Sequence, residues 1–200
     1  MENNNSQINS ENTPTKTGLK KNLEGIWDLL RFAIIAILIV IPIRMFIAQP
    51  FVVSGESMYP AFNDGEYLIV DEISYILGVP KRGDVIIFRY PNDTKRFFIK
   101  RIIGMPNEEI IINNGKVTIK NVENPDGFIL NEPYLGEKFD TTTSFKTEKD
   151  EFFVMGDNRN RSSDSRTWGV LDSKFIIGRA YLRLLPTDNI TFLPGHYNEY

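Results

Sequence analysis

The stretch SGESMYP, residues 54–60, divides the chain into two parts with different sequence patterns. An apolar segment of membrane length ends shortly before it, and short segments with strand-like patterns follow it. Gly55 lets the backbone bend closely inside the stretch, and Pro60 fixes the backbone where the turn ends. Ser57 lies between them, where an exposed hydroxyl can act as a nucleophile. Because most serines in turns are simply solvated, this interpretation needs support from the rest of the chain.

The sequence after Ala48 predicts a mainly β fold class, with an all-β domain. Segments rich in Val, Ile, Phe and Tyr recur roughly every ten residues, with turn residues between them. The predicted strands cover residues 50–53, 66–70, 83–90, 96–103, 110–112, 116–119, 152–155 and 175–185. Asn113-Asn114-Gly115 joins two of them and is a strong hairpin signal. The domain is predicted to span residues 49–200, with a small β lobe inserted at about residues 107–151 because that region is polar.

The residues before this domain predict a tail followed by a membrane anchor. Residues 1–25 are mainly polar at their start and are predicted to be disordered. Residues 29–48, LLRFAIIAILIVIPIRMFIA, would reach about 30 Å as a helix, which is the thickness of the hydrocarbon layer. Arg31 and Arg44 lie near its two ends, where long side chains reach the headgroups. We therefore predict one transmembrane helix at residues 26–48, and the alternative is a buried helix of a soluble domain.

Two further features decide how this segment is interpreted. A cleaved signal peptide needs small residues at its cleavage site, but bulky Phe46 lies two positions before Ala48, which favours an uncleaved anchor. Basic residues concentrate on the N-terminal side, at positions 16, 20, 21 and 31, whereas after Arg44 the next is Lys81. This asymmetry predicts a single-pass protein of the cell membrane with a cytoplasmic N-terminus and an extracytoplasmic domain.

Composition excludes several kinds of site. The chain of 200 residues has a net charge of −3, which gives no reason to expect a nucleic-acid partner. It has no cysteine, so a thiol nucleophile, a disulfide framework and a cysteine-ligated metal are excluded. Its one histidine, His196, lies in a tail that contains Pro and Gly. A serine nucleophile would therefore need a base other than histidine, and no metal or cofactor is expected.

Lys100 is the candidate base. On a strand, Phe98, Lys100 and Ile102 share one face, so the lysine has apolar neighbours on both sides. Burial among them would disfavour the ammonium and lower the pKa of Lys100. A base that works near neutral pH needs a pKa about 3 units below the usual value of about 10.4. The alternative is a lysine at a strand edge whose ammonium reaches water.

Residues 156–169, GDNRNRSSDSRTWG, form a polar stretch between two predicted strands. The stretch lacks the acidic spacing of a calcium-binding loop. Asp164 and Arg166 could brace it as an ion pair, and one of its hydroxyl groups could hold the nitrogen of the lysine. The alternative is a mobile surface loop.

Four motifs in this order resemble those of bacterial type I signal peptidases, also called leader peptidases. They cover residues 54–62, 81–91, 99–106 and 156–169. The resemblance extends from the apolar segment to Leu185. Because four ordered motifs follow one predicted anchor, the resemblance is specific, and it implies a signal-peptidase-like all-β catalytic core.

The resemblance assigns roles to individual residues. It implies that Ser57 is the nucleophile, that its backbone N–H stabilises the oxyanion, and that Lys100 is the general base. Ser162 matches the serine that orients the lysine. Asp164 and Arg166 match a pair that supports the site structurally.

One position departs from the pattern of some family members. They have a serine two residues before the nucleophile, whose hydroxyl completes the oxyanion hole, whereas this chain has Gly55. The second oxyanion donor is therefore left open. A backbone N–H is one candidate, and Ser54 is one residue further from the nucleophile.

The implied function is that of a serine endopeptidase with a Ser/Lys dyad that needs no cofactor. Its substrates would be the signal peptides of exported preproteins, cut after small residues at positions −3 and −1. The substrate would bind extended beside residues 51–53 or 97–100, which makes Phe51, Val53 and Phe98 candidate substrate-binding residues. The lipid bilayer is an expected partner, and a contact with the translocation machinery is left open.

Two other functions are compatible with parts of the sequence. A self-cleaving repressor-type Ser/Lys protease shares this catalytic core, but the predicted anchor and the lack of a DNA-binding domain are evidence against it. A non-catalytic, membrane-anchored extracytoplasmic binding module is the alternative from another class. The joint presence of Ser57, Lys100 and Ser162 is evidence against that alternative.

Overall fold

The computed structural model describes residues 17–42 and 49–197, and the chain divides into two compact units between Pro42 and Ile43. The described part of the first unit is one helix, α1, Thr17–Pro42. Of the helices in the described ranges, none combines the length and the apolarity needed to cross a membrane. Residues 43–48, the end of the predicted anchor, and residues 1–16 of the predicted tail lie outside the described residues.

The second unit is mainly β, which confirms that part of the predicted fold class, although two short α-helices mean that it is not all-β. Its strands are β1 Gln49–Val52, β2 Tyr67–Asp71, β3 Val85–Tyr90, β4 Asp93–Gly104, β5 Glu109–Asn113, β6 Lys116–Lys120, β7 Phe128–Ile129, β8 Thr143–Lys146, β9 Glu151–Met155, β10 Leu171–Asp172, β11 Ile176–Leu185 and β12 Thr191–Phe192. Two short α-helices, α2 Ile73–Leu77 and α3 Ser165–Trp168, interrupt them. Single turns of 3-10 helix lie at Arg159–Arg161, Ser173–Phe175 and Thr187–Asn189.

Eight strands form one antiparallel sheet in the order β1-β2-β11-β3-β4-β9-β10, with β12 paired to β11. The strands β3 and β4 form a hairpin whose register places Ile86 opposite Lys100. The next strand, β9, pairs with β4 only from Arg101 onward. The first half of β4 therefore has β3 on one side and no strand on the other, among the strands that the structure describes.

The smaller sheet has four strands in the order β7-β6-β5-β8. All four lie within residues 107–151, the region predicted as an inserted lobe. Ile110, Ile112, Val117 and Ile119 point from this sheet into a core that also holds Ile103 and Phe153 of the larger sheet. Burial of these side chains fixes how the smaller sheet packs on β4 and β9, each contributing about 1.5–3 kcal/mol.

The eight predicted strands correspond to β1–β6, β9 and β11, with bounds that differ by a few residues. The strands β7, β8, β10 and β12 were not predicted, and they contain only two to four residues each. A segment of that length is too short to show the alternation by which a strand is recognised.

Candidate active site

Ser57 lies in the loop between β1 and β2, and that loop is anchored from both sides. Met58 and Phe62 are buried in the core of the larger sheet and are 1% and 0% exposed. Gly55 has φ +89°, a conformation that glycine adopts without strain, and its N–H donates to Asp64 Oδ1 at 2.7 Å. The loop therefore holds Ser57 at a defined position rather than as a solvated turn.

Lys100 brings a basic nitrogen to that hydroxyl. Its Nζ lies 2.8 Å from Ser57 Oγ, although the two residues are 43 positions apart in the sequence. Nζ also donates to the carbonyl of Ile99 at 2.7 Å. The side chain lies in the middle of β4 and is 4% exposed, so its ammonium does not reach water as a strand-edge lysine would.

Burial changes the protonation of this lysine. Desolvation lowers the pKa of Lys100 from 10.5 to about 8, while the negative charges of Asp164 and Asp157 oppose the shift. The Phe98 ring contributes to the apolar surroundings, since its centroid lies 5.3 Å from Nζ. A substantial neutral fraction of Lys100 therefore exists near pH 8, and the neutral form can accept a proton.

The segment that follows β9 closes the site from a third direction. Asn158 donates its backbone N–H to the carbonyl of Ser57 at 3.0 Å. A side chain at Gly156 would collide with that same carbonyl and with the Ser162 side chain, so only glycine fits there. The sequence did not identify Gly156 or Asn158 as site residues, because neither carries a side chain that performs chemistry.

The polar stretch 156–169 is folded rather than mobile. Asp164 is fully buried and binds Arg166 through two bonds, Nε to Oδ1 and Nη2 to Oδ2, each 2.8 Å long. Its carboxylate also accepts the N–H of Gly156 at 3.1 Å. Arg166 in turn donates to the carbonyl of Arg159 at 2.7 Å. The ion pair thus links the two ends of this stretch and fixes its conformation next to Ser57.

Ser162 lies beside Gly156 with its hydroxyl buried. Within the described residues this hydroxyl has no hydrogen-bond partner, so no hydrogen bond joins it to Lys100. The structure therefore places Ser162 next to the Ser57 loop and leaves its predicted contact with the lysine nitrogen unmade.

A second buried ion pair lies behind the dyad. Arg101, the residue after Lys100, is 0% exposed and donates to both carboxylate oxygens of Asp157, at 2.8 and 2.5 Å. Its Nη1 also donates to the carbonyls of Gly83 and Gly195, at 2.9 and 2.5 Å. The ring of Tyr134 lies 4.0 Å from the guanidinium carbon. This pair was not predicted, although a charged residue within an apolar strand was a signal that could have indicated it.

A cleft of about 420 Å³ opens in front of the dyad. The candidate substrate-binding residues Phe51, Val53 and Phe98 all line it, together with Val52, Ser54, Ser57, Leu68, Ile87, Arg96, Phe97, Ile99, Lys100 and Ser163. The walls come from β1 on one side and the first half of β4 on the other, and Phe51 touches Phe97 across it at 5.4 Å between ring centroids. Most of the lining residues are therefore apolar, and the Ser57 hydroxyl and the Lys100 amine lie among them.

The hydrogen bonds of the loop narrow the choice of oxyanion donors. The N–H of Gly55 is engaged by Asp64, so it is not available to a substrate. The N–H of Ser57 donates to no other described residue. Ser54 and Ser163 both line the cleft, so each can present a hydroxyl to a bound substrate.

His196 lies away from the cleft. Its side chain borders a separate small cavity with Asp84 and Arg179. In the part of the chain that the structure describes, no three Asp, Glu or His side chains are arranged to hold a metal ion.

Comparison with known proteins gives consistent results. Residues 26–185 match the family described as signal peptidase, peptidase S26. "Probable signal peptidase I-2" of Synechocystis sp. is 34% identical over 92% of this chain and 86% of its own length. "Signal peptidase I P" of Bacillus subtilis subsp. natto is 33% identical over 86% of this chain and 95% of its own. The crystal structure of a signal peptidase I from Enterococcus faecalis is 27% identical, with a TM-score of 0.43, and covers 50% of this chain and 95% of its own.

Proposed function

The chain belongs to the signal peptidase family, peptidase S26, and on this premise we propose that it cuts signal peptides from exported preproteins with a Ser57–Lys100 dyad. The family and the enzyme class, a serine endopeptidase, are those that the sequence predicted, and both are confirmed. The observation that carries the proposed dyad is the 2.8 Å distance between Nζ of the buried Lys100 and Oγ of the half-buried Ser57.

In the proposed acylation step, neutral Lys100 removes the proton of Ser57 as Oγ attacks the carbonyl carbon of the scissile bond. A neutral amine has two N–H groups and one lone pair. The Ile99 carbonyl accepts one N–H at 2.7 Å, which restrains rotation of the amine and favours a lone pair directed at Oγ. The Ser57 N–H stabilises the negative charge that develops on the carbonyl oxygen.

The tetrahedral intermediate then collapses, and protonated Lys100 gives its proton to the departing amine. The signal peptide stays esterified to Ser57 until neutral Lys100 removes a proton from water, which hydrolyses the ester and restores the serine. We assign Ser162 the role of orienting the lysine nitrogen, and the support is its buried hydroxyl, which has no hydrogen-bond partner among the described residues. Asp164 and Arg166 are assigned the role of holding the loop that contacts Ser57, which their ion pair supports.

The substrate is proposed to bind as an extended strand between β1 and β4. Both strands have unpaired edges facing the cleft among the described strands, so the substrate backbone could pair with either. Phe51, Val53 and Phe98 line this cleft, and we propose that their side chains bound positions −1 and −3. Small residues there would fit, and larger ones would clash.

The proposed setting is the cell membrane, with residues 26–48 as the anchor and residues 49–200 outside the cytoplasm. Its support is the apolar run from residue 29 to 48 and the basic residues that precede it. The bilayer would then be a partner of the chain. Protease treatment of intact cells should leave an N-terminal tag protected while it cuts the domain after Ala48. Cleavage of the tag would reverse the orientation.

The experiment for the dyad uses the full chain in detergent and a synthetic preprotein peptide. We expect Ser57→Ala and Lys100→Arg each to reduce kcat/KM by at least about a thousandfold, since arginine keeps the charge but cannot release a proton in this pH range. The control is His196→Ala, which should cleave normally because His196 lies outside the cleft.

Near-normal cleavage by Lys100→Arg would mean that residue 100 acts as a fixed cation, which contradicts the proposed mechanism. A wild-type chain that binds the peptide and never cuts it would favour the binding module over the peptidase.

A further inference from the structure

The outer end of the cleft carries a positive charge that the proposed reaction does not use. Arg96 lines the cleft on β4, four residues before Lys100. Its side chain is exposed, and no carboxylate lies within ion-pair distance of it in the described ranges. The charge of Arg96 is therefore available to a ligand in the cleft.

Two aromatic rings hold this guanidinium in place. Its carbon lies 5.3 Å from the centroid of Phe98 and 6.0 Å from that of Tyr90. The two rings stack on each other at 4.6 Å with an angle of 16° between their planes. Contacts of this kind are worth about 0.5–1 kcal/mol at exposed sites. These contacts favour a position of the Arg96 guanidinium at the cleft wall.

The spacing along β4 relates Arg96 to a substrate position. Residues two apart on a strand share a face, so Lys100, Phe98 and Arg96 follow one another along the same wall. A strand rises about 3.3 Å per residue, and a substrate strand that runs beside β4 has the same repeat. For a substrate strand that runs parallel to β4 with position −1 beside Lys100, position −3 lies beside Phe98 and position −5 beside Arg96.

We propose that Arg96 is a specificity-determining residue that selects against a positive charge at position −5 of the substrate and favours a negative one. This inference rests on the proposed function, because it needs a peptide that the Ser57–Lys100 site cuts. Arg89 adds to the same field, since its guanidinium carbon lies 4.9 Å from the Phe97 ring at the same end of the hairpin. The substrates favoured by this chain are therefore signal peptides with a neutral or acidic residue at position −5, two positions before the small −3 residue.

The test is a charge exchange between enzyme and substrate. Three peptides that differ only at position −5, with Glu, Gln or Lys, are cut by the full chain in detergent and kcat/KM is compared within each enzyme preparation. For the wild type we expect the Glu peptide to exceed the Lys peptide by roughly three- to tenfold, because exposed charge pairs contribute modestly. Arg96→Gln should make kcat/KM equal for the three peptides. Arg96→Glu should reverse their order, so that the Lys peptide is cut fastest.

Lys95→Glu is the matched control. Lys95 is the preceding residue, carries the same charge and is exposed, but it does not line the cleft. This variant should keep the wild-type order of peptides. Because the comparison is a ratio within one preparation, partial misfolding of a variant does not affect it.

The same order of peptides in the wild type and in Arg96→Glu would overturn the proposal. An equal reversal by Lys95→Glu would also overturn it, because the preference would then come from the general charge of the hairpin. Cleavage of none of the peptides by the wild type would overturn the proposed function itself, which is a different result from cleavage without preference.

Discussion

Burial lowers the pKa of Lys100 enough for its amine to act as a base. Desolvation places the pKa of Lys100 at about 8, against 10.5 for an exposed lysine. No carboxylate forms an ion pair with it among the described residues, and the charges of Asp164 and Asp157 offset only part of the cost of burying the ammonium. A residue that would be fully charged in water at pH 8 is therefore partly neutral in this site.

The pH dependence follows from this lowered pKa. The neutral fraction of Lys100 grows as the pH rises, so kcat/KM should rise by about tenfold per unit below pH 8 and level off above it. Peptide cleavage measured from pH 6 to pH 10 would locate this rise, the acidic limb of the pH profile. A profile that is flat from pH 6 to pH 9 would contradict the role of Lys100 as the base.

Phe98 is expected to maintain the low pKa. Phe98→Ala admits water beside Nζ, which raises the pKa, but it also removes a ring face that stabilises the ammonium, which lowers the pKa. We expect desolvation to be the larger effect because it is the main cause of the shift. The acidic limb should then move to higher pH.

Phe192→Ala is the control, since Phe192 is 66% exposed and does not line the cleft. An unshifted limb in a folded and active Phe98→Ala enzyme would mean that other groups keep water away from the lysine. The Ser57–Lys100 assignment would remain unaffected by that result.

At the scale of elements, the segment after β9 determines where the Ser57 loop lies. Gly156 is packed against the Ser57 carbonyl, and Asn158 holds that carbonyl by a hydrogen bond. The nucleophile is thus positioned by backbone contacts between two loops that are about a hundred residues apart in sequence. A displacement of about 1 Å at such a site is enough to reduce catalysis by roughly a hundredfold.

Gly156→Ala should therefore lower kcat/KM by at least about a hundredfold, because the added Cβ displaces the Ser57 carbonyl. Peptide cleavage and thermal unfolding, measured together, separate this effect from loss of the fold. Gly136→Ala is the matched control, since its Cβ would make only ordinary contacts with Pro60 at 3.4 and 3.6 Å. Equal activity of the two variants would show that close packing at Gly156 does not position the nucleophile.

At the scale of the whole domain, the Arg101–Asp157 pair joins distant parts of the chain. It links β4 to the segment after β9, to Gly83 before β3 and to Gly195 near the end of the described chain. Both side chains of the pair are 0% exposed. Such a pair adds little net stability compared with apolar residues, but loss of one partner leaves an uncompensated buried charge.

Asp157→Asn should accordingly lower the free energy of unfolding by about 3–5 kcal/mol. Denaturant unfolding at pH 7 gives the value directly. Glu56→Gln is the control, because it breaks an exposed ion pair in which the side chain of Glu56 is 60% exposed and that of Arg161 is 71% exposed. This substitution should lower the free energy of unfolding by less than about 1 kcal/mol. Equal losses from the two substitutions would mean that Asp157 is not needed to neutralise Arg101.

Local pattern in the sequence determined eight of the twelve described strands and the hairpin at residues 113–115, and together with the family resemblance it gave the candidate roles of Ser57 and Lys100. Strand alternation and turn residues act over a few positions, so a single sequence reveals them. The same alternation placed Phe98 beside Lys100, and the structure finds the ring 5.3 Å from Nζ. The family was also recoverable, because its motifs are short and occur in a fixed order.

Only the tertiary structure decided what surrounds these residues. The contact of Ser57 with Lys100 spans 43 positions and that of Arg101 with Gly195 spans 94, and both depend on how the strands pair. The close packing of Gly156 against the Ser57 carbonyl has no signature in the sequence. A glycine that is needed because another backbone approaches it cannot be told from a glycine in an ordinary turn. Desolvation is likewise a property of all the atoms that enclose a group, so the pKa of Lys100 depends on the closed site and not on its neighbours in sequence alone.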